Sequence, residues 1–204
     1  MYIMKVKTRL IPINKYNHPA GKSTCEEIAI HYTGDLGATA EQLAQYYLNV
    51  AAGKFANCNP AAWTSANYIV GYDGTIITCI RAGGISYAVS GENHRLINIE
   101  VCYNNSSGKF TPDAVSALAE LVKRLMKAHN IPPERVKRHY DYTKKLCPYY
   151  YAINSDEWAN LHSKITGAPP KKYTLTAHNL TEKQRKALES TLESIGANDY
   201  TFDG

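Results

Sequence analysis

His139 and Cys147 stand eight residues apart in His139-Tyr140-Asp141-Tyr142-Thr143-Lys144-Lys145-Leu146-Cys147-Pro148, and His31 lies near the end of the apolar run Glu27-Ile28-Ala29-Ile30-His31-Tyr32. A histidine at a strand end and a cysteine across a turn can converge on one cation, with His31 as a third donor. Zinc accepts imidazole nitrogen and thiolate, and a catalytic zinc site uses three protein ligands with one position open. The same spacing also fits ordinary roles: a hydrogen-bonded histidine, and a free cysteine buried as a small apolar residue. Glu100 interrupts another apolar run, Leu96-Ile97-Asn98-Ile99-Glu100-Val101-Cys102-Tyr103. A carboxylate there either has a task or faces water from an edge strand.

These residues need elements to hold them. Residues 27–32 read as a strand closed by Thr33-Gly34. Thr39 with Gln42 forms a capping box opening a helix whose stripe is Leu43, Tyr46, Tyr47 and Val50 and which ends near Gly53. Asp73-Gly74 between the β-rich runs Ser65–Val70 and Ile76–Ile80 predicts a hairpin. Residues 96–103 give a further strand. Thr111 and Pro112 open a helix with the stripe Val115, Leu118, Ala119, Val122, Leu125, Met126 and His129, stopped by Ile131-Pro132-Pro133. A short strand over Arg135–Arg138 delivers His139, and a last helix covers Ser155–Ile165. The alternation predicts an α/β fold, a central mixed β-sheet flanked by helices.

Gly167-Ala168-Pro169-Pro170-Lys171-Lys172 reads as a linker. Beyond it a strand over Tyr173–Ala177 and a helix capped by Thr181 and Gln184, striped by Leu188, Leu192 and Ile195 and stopped at Gly196, suggest a small C-terminal β-α-β fragment. That fragment is too short to bury a core alone. The expected domains are therefore 1–167, a linker at 168–172, and a partial second module at 173–204.

The net charge of +5 resides in residues 1–167, with 18 Lys/Arg against 13 Asp/Glu. A mildly basic surface is drawn to polyanions, but no arginine-rich or basic–aromatic stripe favours nucleic acid. Five cysteines without a C-x-x-C pair argue against a disulfide framework. The start Met1-Tyr2-Ile3-Met4-Lys5 lacks a signal-peptide core, and no segment is long enough to insert in a membrane.

Four groups of residues occur in an order that resembles one family: Ile30-His31-Tyr32-Thr33; Ser65-Ala66-Asn67-Tyr68 with Asp73-Gly74-Thr75-Ile76; Asn98-Ile99-Glu100-Val101-Cys102; and His139-Tyr140-Asp141 with Lys145-Leu146-Cys147-Pro148. The pattern is similar to the type 2 N-acetylmuramoyl-L-alanine amidases, which include phage endolysins, bacterial autolysins and relatives of the peptidoglycan recognition proteins. The resemblance implies that His31, His139 and Cys147 ligate Zn2+ in a cleft at strand ends. It implies that Glu100 is the acid/base and that Lys145, rather than the neighbouring Lys144, faces the scissile carbonyl. Asp141 is expected to cap its turn. Some members carry a tyrosine where this chain has Ala66, with Tyr68 close by; many have a histidine at Asn67; and Ile85–Gly91 departs from a Trp-His-Ala-Gly-like stretch.

The expected function is hydrolysis of the bond between N-acetylmuramic acid and L-alanine in peptidoglycan, by an endolysin or autolysin. The chain would be made in the cytoplasm and reach the wall by holin-type release or lysis. The C-terminal piece would bind wall, pack on the catalytic domain or pair with another copy. Two alternatives are a cytosolic wall-recycling amidase and a non-catalytic recognition module, the latter typically lacking the cysteine ligand.

Overall fold

The computed structural model describes residues 5–58, 63–169 and 180–194. The chain divides into two compact units, Met1–Pro170 and Lys171–Gly204. The first contains strands β1 (Lys5–Thr8), β2 (Glu27–Tyr32), β3 (Tyr68–Val70), β4 (Thr75–Thr78), β5 (Leu96–Val101) and β6 (Val136–Arg138). They form one mixed sheet in the order β1-β4-β3-β5-β2-β6. Neighbours run parallel except in the β3–β4 hairpin. Its turn follows from Asp73, whose carboxylate accepts from the Thr75 backbone N–H and hydroxyl, and from Gly74 at φ 79°.

Alternation along β2 and β5 decides what each face of the sheet does. The parallel register sets Glu27 beside Leu96 and His31 beside Glu100. Ile28, Ile30, Ile97, Ile99 and Val101 thus share one face, and Glu27, Ala29, His31, Asn98 and Glu100 point to the other. The isoleucine face packs against helices α2 (Pro112–His129) and α5 (Ser155–Thr166), through Leu118, Val122, Leu161 and Ile165 among others. Burying each such side chain stabilises the fold by about 1.5–3 kcal/mol. On the opposite face α1 (Ala40–Ala51) covers Ile69 and Ile77 with Ala44 and Tyr47. Beside that packing, the polar ends of β2 and β5 line a cleft.

The helices begin where their caps dictate. The Gln42 N–H donates to Thr39 Oγ1 and the Thr39 N–H to Gln42 Oε1, a complete capping box. Thr111 Oγ1 accepts from the Ala114 N–H, Pro112 occupies the first turn, and Asn130 closes α2 in the left-handed conformation at φ 55°. The structure adds one strand and corrects one expectation. β1 is present, although nothing in Lys5–Thr8 marks it, since all four residues are exposed. The segment after β6 is not a plain turn: His139–Thr143 forms the short helix α3 and Tyr149–Ile153 forms α4. Helix α1 ends at Ala51 with Ala52 as its cap and Gly53 following at φ 75°, where its residues place the stop.

In the second unit the described part is helix α6, Glu182–Ser194, with Thr181 and Gln184 bonded as its capping pair. Leu188 and Leu192 are half-exposed, and no described side chain of α6 is buried. The strand expected over Tyr173–Ala177, Ile195 and the stop at Gly196 lie outside the described residues.

Candidate active site

Three elements converge at the C-terminal end of β2. His31 is its fifth residue, 1% exposed, and registers with Glu100 on β5. β6 pairs with β2 and hands the chain directly to His139, the first residue of α3. Asp141 secures that start by accepting from the Arg138 backbone N–H at 2.8 Å and its guanidinium at 2.6 Å, which is the turn-capping role expected of it. Lys144 then ends α3 in the left-handed conformation at φ 62°, and the chain doubles back. The Tyr140 N–H donates to the Cys147 carbonyl at 2.9 Å, which closes the eight-residue spacing and brings the sulfur alongside both histidines.

The donor atoms of His31, His139 and Cys147 all lie within 4.8 Å of one another. Cys147 Sγ is 3.9 Å from His31 Nδ1, and the two imidazoles meet edge to face. His31 Nε2 is occupied by Asn98 Oδ1 at 3.0 Å, so its Nδ1 faces the sulfur. Burial pushes His31 down to about 3, helped by His139 and Lys145 against the Asn98 bond; burial and Lys145 push His139 down to about 4. Both rings are neutral, as ligands must be. Burial, with Glu100 adding to it, pushes the Cys147 thiol up to about 12, against a backbone N–H from Tyr32 and the charge of Lys145. That sulfur yields its proton only to a charge stronger than the protein provides, which a divalent cation is. Two neutral imidazoles and one enclosed sulfur, with room for another ligand, fit a metal ion of the zinc kind.

Glu100 sits on β5, between β3 and β2 in the sheet, so it is not an edge-strand residue facing water. Among the described residues its Oε2 is the buried side-chain oxygen or nitrogen without a hydrogen-bond partner. Burial raises its carboxyl to about 8, with Lys145 pulling the other way. An unpartnered enclosed carboxylate oxygen in the cleft lined by His31, His139 and Cys147 makes Glu100 a candidate functional group. Lys145 lines the same cleft, whereas the Lys144 ammonium lies 5.2 Å over the Tyr140 ring.

The cleft has a volume of about 490 Å3 and is walled by α1 through Gln42, Leu43, Tyr46 and Tyr47, and by the Tyr32–Asp35 turn. Tyr68 does not line it. In register with Ile99, it faces the opposite side of the sheet and packs with the α2 layer. The tyrosine wall comes from α1 instead. Tyr46 and Tyr47 were legible as a helix stripe, but nothing in that stripe distinguishes a cleft wall from a core.

A sequence profile described as N-acetylmuramoyl-L-alanine amidase matches residues 21–150. The chain is 22% identical over 198 residues to the N-acetylmuramoyl-L-alanine amidase CwlL of Bacillus licheniformis, covering 94% of this chain and 55% of the relative. It is 25% identical over 166 residues to BlyA of Bacillus subtilis strain 168, covering 76% and 45%. It thus spans about half the length of these relatives. Among solved structures, a mutant endolysin from Bacillus subtilis superposes with a TM-score of 0.64 at 26% identity, over 80% of this chain and 99% of that one. The catalytic domain of XlyA gives 0.63 at 26%, over 78% and 98%. With a profile match that contains His31, Glu100, His139, Lys145 and Cys147 within its bounds, the chain belongs to the N-acetylmuramoyl-L-alanine amidase family.

Proposed function

We propose that this chain is a zinc-dependent hydrolase of the amide between N-acetylmuramic acid and L-alanine in bacterial peptidoglycan, acting as a lytic enzyme of the endolysin or autolysin kind. The observation that carries this reading is the unpartnered Glu100 Oε2 beside the three converging donors of His31, His139 and Cys147. A zinc ion held there supplies Lewis acidity toward an amide carbonyl and water. Glu100 takes a proton from the attacking water and later delivers it to the leaving amine, a task suited to a carboxyl raised toward neutrality by its surroundings. Lys145 sets an ammonium where negative charge develops on the carbonyl oxygen. Tyr46 and Leu43 offer flat and apolar surface to the substrate across the cleft.

Cys147 weighs against a non-catalytic recognition module, because it is 3% exposed and directed at His31. Residues 1–167 form the catalytic domain on this reading, with 168–172 as linker and 173–204 as a wall-binding or assembly element. No helix among the described residues is long and apolar enough to cross a membrane. On the lytic reading the wall is reached through lysis or holin-type release, and a wall-recycling role in the cytosol is the rival. Purified cell walls digested with the protein should yield new amino termini on alanine and no new reducing sugars, with the reaction stopped by a chelator and restored by zinc. Reducing ends without free alanine termini would overturn the proposal.

A further inference from the structure

Behind His31 runs a line of enclosed polar groups that the chemistry above does not use. Asn98 Oδ1 lies 3.0 Å from His31 Nε2, and Asn98 Nδ2 donates to Ser86 Oγ at 2.9 Å. The Ser86 hydroxyl donates to Asn67 Oδ1 at 2.9 Å, and Asn67 Nδ2 donates to the Gly84 carbonyl at 3.0 Å. His31 is 1% exposed, and Asn98, Ser86 and Asn67 are 0% exposed.

The direction of every bond follows from the far end. The Gly84 carbonyl can only accept, so Asn67 turns its amide nitrogen to it and its oxygen inward. The Asn98 backbone N–H, which can only donate, meets that same Asn67 oxygen at 2.8 Å and fixes the orientation independently. Facing an acceptor, Ser86 must donate, and its oxygen is left to accept from the Asn98 amide nitrogen. Asn98 therefore shows its Oδ1 to His31, and the imidazole must carry its proton on Nε2. The lone pair is left on Nδ1, the nitrogen 3.9 Å from Cys147 Sγ.

We infer that Asn98, locked by Ser86 and Asn67, is a positioning residue that holds His31 in the Nε2–H tautomer and makes Nδ1 its ligating nitrogen. Groups that orient a ligand histidine typically change metal affinity by about 10- to 100-fold when removed. Two of the three positions fall where the chain departs from the family pattern, at Asn67 and within Ile85–Gly91. The affinity arm rests on the zinc reading above; the tautomer is a property of the chain itself.

The experiment uses the full chain and two readouts. Long-range proton–nitrogen correlation of the imidazoles in the metal-free protein should place the His31 proton on Nε2, and chelator competition gives the zinc Kd. Asn98→Ala should admit the Nδ1–H form and weaken zinc about 10- to 100-fold. Ser86→Ala, a single hydroxyl lost, should move both readouts the same way by less. Asn98→Asp, which still accepts from Nε2–H, should keep the parent tautomer. A parent His31 protonated on Nδ1 overturns the inference. So does an unchanged His31 spectrum and Kd in both Asn98→Ala and Ser86→Ala; Ser86→Ala alone decides if Asn98→Ala does not fold. Should the parent bind no zinc, the metal reading fails while the spectra still decide the tautomer.

Discussion

Glu27 and Glu100 occupy opposite ends of the paired strands β2 and β5, on the same face of the sheet, and the protein treats them in opposite ways. Glu27, 5% exposed, is surrounded by donors: Tyr142 Oη at 2.7 Å, Arg95 at 2.9 Å and Lys137 Nζ at 3.0 and 3.1 Å. These tie β2, β5, β6 and α3 together at one edge of the fold. Burial alone would raise the Glu27 carboxyl, but the bonds from Tyr142, Lys137 and Arg95 outweigh it and hold it below its ordinary 4.5. Glu100 has an enclosed oxygen with no partner, and burial raises it to about 8. One glutamate is spent on holding strands together. The other keeps a buried oxygen unpartnered and a raised carboxyl, the state expected of the acid–base group in the proposed reaction.

The sharpest break in this contrast comes from neutralising each glutamate in turn. Glu100→Gln should lower hydrolysis of cell walls by about 100- to 10,000-fold while zinc content and melting temperature stay near the parent's. A rate within a few-fold of the parent moves the acid–base role elsewhere. Lys145→Met should cost about 100-fold, the lower end for a lost oxyanion donor because this ammonium is solvated; Lys144→Met should be nearly silent. Glu27→Gln should do the reverse, costing about 3 kcal/mol in urea denaturation with activity per folded molecule within a few-fold.

The pH dependence sharpens the comparison further. Because the folded value of Glu27 lies below 4.5, its contribution is fully present above that pH and drains away as pH falls through the lower folded value. Unfolding free energy between about pH 3 and pH 6 should therefore climb less steeply in Glu27→Gln than in the parent. Equal slopes would mean that the cluster leaves folding indifferent to this carboxyl. The smallest effect is expected from removing the tail: residues 1–167 alone should fold, bind zinc and keep hydrolytic activity, since both glutamates and all three donors lie within them. An unfolded, zinc-free fragment would show that the tail belongs to the core.

What could be read from the sequence follows the range of the interactions involved. The capping boxes at Thr39 and Thr181 and the Thr111-Pro112 start are local, and each formed as its residues dictate. β2 and β5 were legible as apolar runs, but the register that sets His31 beside Glu100 was not. β1 was invisible because it pairs with β4 at the sheet edge, with exposed side chains that leave no apolar pattern. α3 read as a turn because it is five residues long and its N-cap is Arg138, not one of the usual capping residues. The His31–Asn98–Ser86–Asn67 line spans separations of 67, 12 and 19 residues, so no local signal could reveal it. Tyr68 shows the same limit. Its neighbourhood in sequence to the hairpin said nothing about which face of β3 it would occupy, and the register sends it away from the cleft.

The central claim is that His31, His139 and Cys147 together hold one zinc ion that hydrolysis requires. Metal analysis of the purified full chain, alongside Cys147→Ser and assays on purified walls, tests it most directly. About one zinc per chain is expected in the parent, as a three-ligand open site binds it, with zinc and activity both lost in Cys147→Ser. A Cys147→Ser protein that binds zinc as tightly and cuts walls as fast as the parent would contradict the account.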